Sequence, residues 1–184
     1  MKLFKIIVLI FVCFLPTLNA KSQPDCEIYN VLYNHILLNW ENKKYLIREF
    51  TTDSVSSDLK IELTWIKKYF PKNLTDNYTR INIYSKNIKN CFDTIQIKFF
   101  TYQKEKEIFN EAHALTAWNF FYKEYPEYIG VIWFSNIAYN KKRTKALVSY
   151  SVMSKGQGIG FLVELHKKVK KFKIFKRKKQ WASS

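Results

Sequence analysis

The fold is decided by residues 130–175, which read GVIWFSNIAYNKKRTKALVSYSVMSKGQGIGFLVELHKKVKKFKIF. Apolar side chains return at every second position, as they do in strands with one buried face. Short polar turns separate four such runs, which begin near Val131, Lys145, Gly160 and Lys171. Because short turns join neighbouring antiparallel strands, the pattern predicts a four-strand antiparallel meander.

Helical patterns dominate the chain before this meander. Apolar residues recur at three- and four-residue spacing over residues 26–40, 58–70 and 110–125, and a shorter helix is predicted over residues 76–84. Residues 45–51 and 94–102 have the composition of strands. The helix before the meander has a predicted buried face of Leu115, Trp118, Tyr122 and Tyr125. We therefore expect an α+β domain, with helices packed on one side of a curved antiparallel sheet.

The first twenty residues have the three parts of a cleavable export signal. Lys2 and Lys5 supply positive charge, residues 6–15 form an apolar run, and Ala20 is a small residue at the expected cleavage point before Lys21. The apolar run is shorter than the about 20 residues that a membrane-spanning helix needs, so an uncleaved anchor is the weaker alternative. The mature protein is expected to be one α+β domain over residues 21–184, periplasmic or extracellular, without a transmembrane span.

The charge balance is strongly basic. The chain carries a net charge of +16, and loss of Lys2 and Lys5 with the signal leaves +14. Such a charge favours anionic partners, and export makes an envelope surface the expected one rather than nucleic acid. The alternative is codon bias, since 27 Lys against 4 Arg is typical of an AT-rich genome.

The basic residues are concentrated near the C-terminal end. Residues 167–179 contain nine basic residues in thirteen, interleaved with Phe172, Ile174 and Phe175. A strand would turn Phe172 and Ile174 inward. We predict an anion-binding stripe of Lys171, Lys173, Lys176, Arg177, Lys178 and Lys179. The alternative is a solvated edge strand whose lysines block edge-to-edge aggregation.

Two cysteines remain after the signal, which carries Cys13, is removed. Cys26 and Cys91 could form one disulfide in an oxidising compartment, tying the first helix to the middle of the domain. The alternative is a pair of buried free thiols, which pack as small apolar side chains.

No pattern predicts a catalytic site, a cofactor or a metal. In residues 156–160 (GQGIG), Phe161 stands where a dinucleotide-binding loop needs its third glycine, so a hairpin turn is the better interpretation. Glu111 and His113 would face different sides of a helix and could not share a metal. Ser135 lacks the flanking glycines of a nucleophile elbow, and we expect it to form hydrogen bonds within the sheet.

A resemblance covers about the last 70 residues. The segments 118–122 (WNFFY), Tyr125-Pro126, 130–132 (GVI), Phe134-Ser135, 146–148 (ALV) and 181–183 (WAS) resemble uncharacterised small exported proteins of Bacteroidota-type bacteria. The resemblance implies export and a helix-on-sheet architecture similar to cystatin-like domains, but no activity. The chain departs from the family pattern at Asn136 and Ala138, where Arg and Gly are expected.

These observations favour a non-enzymatic periplasmic or cell-surface binding domain whose basic C-terminal strand contacts anionic envelope components. One alternative is a cell-envelope hydrolase with polar residues converging between the helix of Trp118 and the sheet. Another is an immunity or inhibitor protein, which would have a protein partner. The sequence leaves the oligomeric state open.

Overall fold

The computed structural model describes residues 24–40, 43–51, 65–109 and 114–183. The predicted export signal, with its cleavage point at Ala20 and Lys21, lies outside these ranges, as do Glu111 and His113. Most of the helix predicted over residues 58–70 also lies outside, although residues 65–69 are helical. In the described ranges no helix combines the length and apolar composition needed to cross a membrane.

The other helices are α1 (Pro24–Asn39), α2 (Lys72–Ile81), α3 (Tyr102–Phe109) and α4 (Ala114–Glu124), with a one-turn 3₁₀ helix at Lys89–Cys91. Helix α1 agrees with the predicted helix over residues 26–40. Helix α2 begins four residues before its predicted start, directly after Pro71, whose fixed φ suits the start of a helix.

The strands form a single sheet in the described residues. They are β1 (Tyr45–Arg48), β2 (Phe99–Phe100), β3 (Gly130–Phe134), β4 (Ala138–Tyr139), β5 (Lys145–Ser154), β6 (Gln157–Lys168) and β7 (Lys171–Ser183). Their order across the sheet is β2-β1-β3-β5-β6-β7, and β4 pairs beside β3 on β5. The antiparallel pairs β3–β5, β5–β6 and β6–β7 confirm the predicted meander and, with the helices, the predicted α+β class.

The other half of the sheet is parallel, so the expectation of an antiparallel sheet is wrong there. Strand β1 pairs in parallel with β3, with Leu46 opposite Val131, and in parallel with β2 on its other side. Parallel neighbours need a long crossover connection, and the helical segment between β1 and β3 supplies it.

Helices cover both faces of the sheet, which corrects the expectation of helices on one side. Helix α1 packs on the face that carries Val148 and Tyr150. Helices α3 and α4 pack on the opposite face around Val131, and residues 66–78 pack beside them on Leu147. Consecutive residues of β3 and β5 are therefore buried, as in any strand covered on both faces. The cystatin-like arrangement is not confirmed.

The strand predicted over residues 94–102 is mostly wrong, because only Phe99 and Phe100 belong to a strand. The Asp93 carbonyl accepts hydrogen bonds from the backbone N–H groups of Gln96 and Ile97, and the Asp93 carboxylate accepts one from Ile95. An aspartate that binds its own backbone in this way folds the chain into a turn.

The predicted buried face of α4 is wrong at Leu115, which is exposed. The buried stripe consists of Ala117, Trp118, Phe121 and Tyr125. At about 3.6 residues per turn, Leu115 lies more than a quarter turn from the centre of this stripe.

A disulfide joins the start of α1 to the 3₁₀ helix. Cys26 and Cys91, which the sequence left as either bonded or free, are bonded in the structure. The side-chain amide of Asn30 donates to the carbonyl oxygens of both cysteines, at 2.8 Å each. The bond and these two contacts hold α1 against the segment that carries the buried Ile88 and Phe92.

Candidate functional site

The basic C-terminal segment forms an edge of the sheet. Strand β7 pairs with β6 along its whole length, and in the described part of the chain it has no strand on its other side. Near its start, the backbone N–H of Phe172 donates to the Glu27 carboxylate of α1 at 2.6 Å. Helix α1 therefore covers the start of this edge.

The structure divides the six predicted anion-binding residues between the two faces of β7. Lys171, Lys173, Lys176 and Lys178 lie opposite even-numbered residues of β6, whereas Arg177 and Lys179 lie opposite Val163 and Phe161. Residues paired across two strands share a face. The division arises at Phe175, an extra residue where the register shifts, because such a bulge reverses the alternation of side chains.

Two of these lysines, Lys176 and Lys178, pack on the aromatic rings of Tyr69 and Phe70, at the end of the helical residues 65–69. The Lys176 ammonium donates to the carbonyl oxygen of Tyr69 and lies 5.3 Å from the ring centre of Phe70. The Lys178 ammonium lies 4.9 Å from the ring centre of Tyr69. Both side chains therefore hold the helical segment to the sheet. Lys171, Lys173 and Lys179 remain exposed.

Arg177 is held on the opposite face by α1 and two rings. Its guanidinium lies 4.6 Å from the ring centre of Phe161, and its Nη1 lies 2.9 Å from Nε2 of His35 and 3.3 Å from the hydroxyl of Tyr150. Burial, reinforced by the charge of Arg177, lowers the pKa of His35. His35 is therefore a neutral acceptor for the guanidinium.

The Arg177–His35 contact predicts a pH dependence. Since the pKa of His35 is lower in the folded protein than its unfolded value of about 6.5, folded His35 binds a proton less readily. The free energy of unfolding should therefore fall as the pH decreases through 6.5, and level off below the folded pKa. Arg177→Gln should raise the pKa of His35 and weaken this dependence. Titration of the His35 ring by NMR, in the wild type and the variant, tests it; equal pKa values would contradict it.

A second group of cations lies at one end of the sheet. It takes in the first part of the basic segment 167–179, including the predicted Lys171, and adds residues 141–143, which the sequence analysis missed. The connection before β5 and the turn between β6 and β7 meet there, because Lys145 pairs with His166 and the Lys167 N–H donates to the Thr144 carbonyl at 2.8 Å. We call this group the basic end; it consists of Lys141, Lys142, Arg143, Lys167, Lys168, Lys170 and Lys171, all exposed. Its signal in the sequence was the run KKRTK at residues 141–145, since alternate turns of a meander share one end.

Three carboxylates lie near the basic end, and each is already engaged. Asp25 binds the Lys86 ammonium at 2.7 Å and lies 3.6 Å from the Arg143 guanidinium. Asp25 also accepts a hydrogen bond from the hydroxyl of Tyr139. Burial, and after it the negative charge of Asp25, raises the pKa of Tyr139. Glu27 binds the Phe172 N–H, and the buried Glu164 lies 2.6 Å from His166. Among the residues of the basic end, only Arg143 has an ion-pair partner within the described ranges.

The space between α4 and the sheet, where a hydrolase would need a cleft, is filled with apolar side chains. Trp118, Phe121 and Tyr125 of α4 pack there against Phe100 and Val131. Trp133, half-buried beside this cluster, has an indole N–H without a hydrogen-bond partner in the described structure. The Arg48 guanidinium lies 5.6 Å from the Trp133 ring centre and forms an ion pair with Glu105 at 2.7 Å.

Ser135 takes part in backbone pairing, as the sequence indicated. Its hydroxyl donates to the Asn136 carbonyl at 2.9 Å and accepts the Ser149 N–H at 2.8 Å. The neighbouring Asn136 amide also has its bonding groups occupied: it accepts from Thr51 and donates to the Ile81 carbonyl, both at 2.9 Å, and to the Tyr84 carbonyl. These buried groups stabilise the fold and offer no free donor to a ligand.

The glycine-rich segment is partly a turn and partly a strand. Gly156, with φ of +77°, lies in the β5–β6 turn, as predicted. Gly158 and Gly160 lie in β6, under the indole of Trp181, which a Cβ atom at either position would overlap. These two glycines therefore serve packing and not phosphate binding.

Comparison with known proteins adds no assignment: no family model, curated protein or solved structure matches the chain. The resemblance to exported Bacteroidota-type proteins therefore stays a prediction. Within the described ranges, no three His, Cys, Asp or Glu side chains are close enough together to hold a metal ion. The exposed cations of β7 and of the basic end are the candidate site that the described structure offers.

Proposed function

We propose that this protein is an exported, non-enzymatic binding domain that attaches to anionic surfaces of the cell envelope through β7 and the basic end. The observation that carries the proposal is a long edge strand whose exposed lysines have no ion-pair partner in the described structure. An unpaired exposed lysine keeps its charge available to a phosphate or carboxylate. The lysines of the basic end extend the same cationic surface around the turn before β7.

The division of β7 between two faces supports edge-on contact. Lys171 and Lys173 project on one side of the strand and Lys179 on the other, so the free edge has cations on both flanks. Flexible lysine side chains can reach past the edge toward a common plane. A surface of anionic headgroups would then meet cations from both faces of the sheet.

A pair of triple variants tests the proposal. The first triple variant combines Lys171→Gln, Lys173→Gln and Lys179→Gln. It should bind vesicles of phosphatidylglycerol and phosphatidylcholine about 100-fold more weakly than the wild-type mature protein at low salt, since each lysine near such a surface contributes about 1 kcal/mol. The loss should shrink as ionic strength rises, because the Debye length falls to about 8 Å at physiological salt.

The matched control removes the same charge elsewhere. Lys106→Gln with Lys123→Gln and Lys155→Gln takes three exposed lysines from α3, α4 and the β5–β6 turn. This triple variant should bind within about fivefold of the wild type, through long-range charge alone. Equal losses in both triple variants, or no binding of the wild type either to these vesicles or to lipopolysaccharide, would contradict the proposal and favour edge protection as the role of the β7 lysines.

A further inference from the structure

The turn between β6 and β7 places a valine in an unfavourable backbone conformation. Lys168 pairs with Lys171, so Val169 and Lys170 are the two turn residues. Val169 has φ of +59°, whereas Lys170 does not have a positive φ. This pattern is that of a type II′ turn, whose first central position is normally glycine. A β-branched residue with positive φ is an outlier that costs stability.

The valine side chain makes little contact with the rest of the folded protein. Val169 is 98% exposed, the most exposed of the large apolar side chains in the described structure. Glycine or asparagine would relieve the backbone at this position, since both tolerate positive φ. The stability cost and the exposed apolar surface therefore coincide at one residue, at the tip of the basic end.

Cations flank the valine in the sequence and lie at the same end of the sheet. Lys167, Lys168, Lys170 and Lys171 flank it in sequence, and Lys141 and Lys142 lie in the neighbouring connection. An exposed apolar side chain flanked by lysines is complementary to the interface of an anionic bilayer, where the headgroup phosphates lie just above the acyl chains. A soluble polyanion would account for the lysines but would give the exposed valine nothing to contact.

We propose that the β6–β7 turn inserts Val169 into the interface of an anionic phospholipid bilayer while the basic end binds the lipid phosphates. The inference rests on the proposed function and names its partner. Insertion removes the valine side chain from water, which is favourable in proportion to the apolar area buried. The lysines hold their ammonium groups at the phosphate level while their methylene chains lie along the acyl boundary.

Replacement of Val169 separates insertion from charge. Val169→Asn should weaken binding to vesicles of phosphatidylglycerol and phosphatidylcholine by about tenfold, while its thermal midpoint stays at or above that of the wild type. Because the lost contribution is apolar, the tenfold ratio should hold at every ionic strength. The matched control is Ile95→Asn, which removes a β-branched side chain that is 93% exposed in another turn; it should bind as the wild type does. Val169→Gly is a second variant with the same expected loss.

The outcomes distinguish the two proposals. If Val169→Asn and Val169→Gly bind as the wild type does while the β7 triple variant loses binding, the charge proposal stands and insertion is overturned. If Ile95→Asn loses as much as Val169→Asn, the effect is general apolar adsorption and insertion at the turn is again overturned. If the wild type binds lipopolysaccharide or soluble polyanions but not the vesicles, the partner is not a phospholipid bilayer. If it binds none of them, both proposals fail.

Discussion

Replacing both Cys26 and Cys91 with serine should lower the free energy of unfolding by about 4 kcal/mol. The two residues are 65 positions apart, and closing a loop of that length removes much of the entropy of the unfolded chain. The Asn30 hydrogen bonds to both cysteine carbonyls need no disulfide, so the native contacts should persist in the variant. Urea unfolding of the wild type and the double variant, both produced from Lys21, is followed by tryptophan fluorescence and measures the difference.

Reduction supplies the control for the cysteine prediction. In the presence of a reductant that opens the bond, the wild type should lose the same stability and match the double serine variant, which the reductant should not affect. A double variant as stable as the oxidised wild type would show that Cys26 and Cys91 are not bonded in solution.

Replacing Asn136 with alanine should lower the free energy of unfolding by about 2–4 kcal/mol. Asn136 is buried, and its amide joins two other segments, one through Thr51 and one, at the end of α2, through Ile81 and Tyr84. Alanine would leave the buried hydroxyl of Thr51 without its acceptor and two carbonyl oxygens without a donor. An unsatisfied buried polar group costs the full penalty of its desolvation.

The matched control for Asn136 is Asn119→Ala, on the exposed side of α4. It should change the free energy of unfolding by less than about 0.5 kcal/mol, as exposed substitutions usually do. Urea unfolding of both variants measures the two changes in the free energy of unfolding. Equal changes would contradict a special role for the buried amide.

The meander was predictable because its alternation is local. Alternate positions of residues 145–152 and 160–166 are apolar, a pattern that indicates strands even though both faces prove to be covered, and short turns dictate antiparallel neighbours. The alternating pattern of the last strand stops at Phe175, but β7 continues to Ser183. Its two register shifts, at Phe175 and before Trp181, break the period-two pattern, so the extension has no periodic signal.

The parallel half of the sheet was not predicted, because its strand pairing is tertiary. Strand β1 lies between β2 and β3 through residues far apart in sequence, and no local pattern specifies a partner at such a distance. The turn at Asp93 depends on one side chain binding its own backbone, which competes with the strand propensity of the apolar residues that follow.

The candidate site was predictable in composition but not in geometry. The basic residues of 167–179 are plain in the sequence, yet the bulge at Phe175 decides which face each one takes. Lys176 and Arg177 prove to be packed against Tyr69 and His35, contacts that sequence spacing could not reveal. The pairing of β5 with β6 brings Lys141 and Lys142 to the same end as Val169.

The central claim, that the basic end faces an anionic bilayer, is tested most directly by mapping the contact without any mutation. The protein, produced from Lys21, is mixed with phosphatidylglycerol-containing bicelles that carry a spin-labelled lipid. Paramagnetic relaxation of the backbone amides then reports which residues approach the membrane. We predict the strongest relaxation at residues 167–171, followed by residues 141–143 and the exposed lysines of β7. Strongest relaxation around α3 and α4, or uniform weak relaxation over the whole chain, would contradict the account.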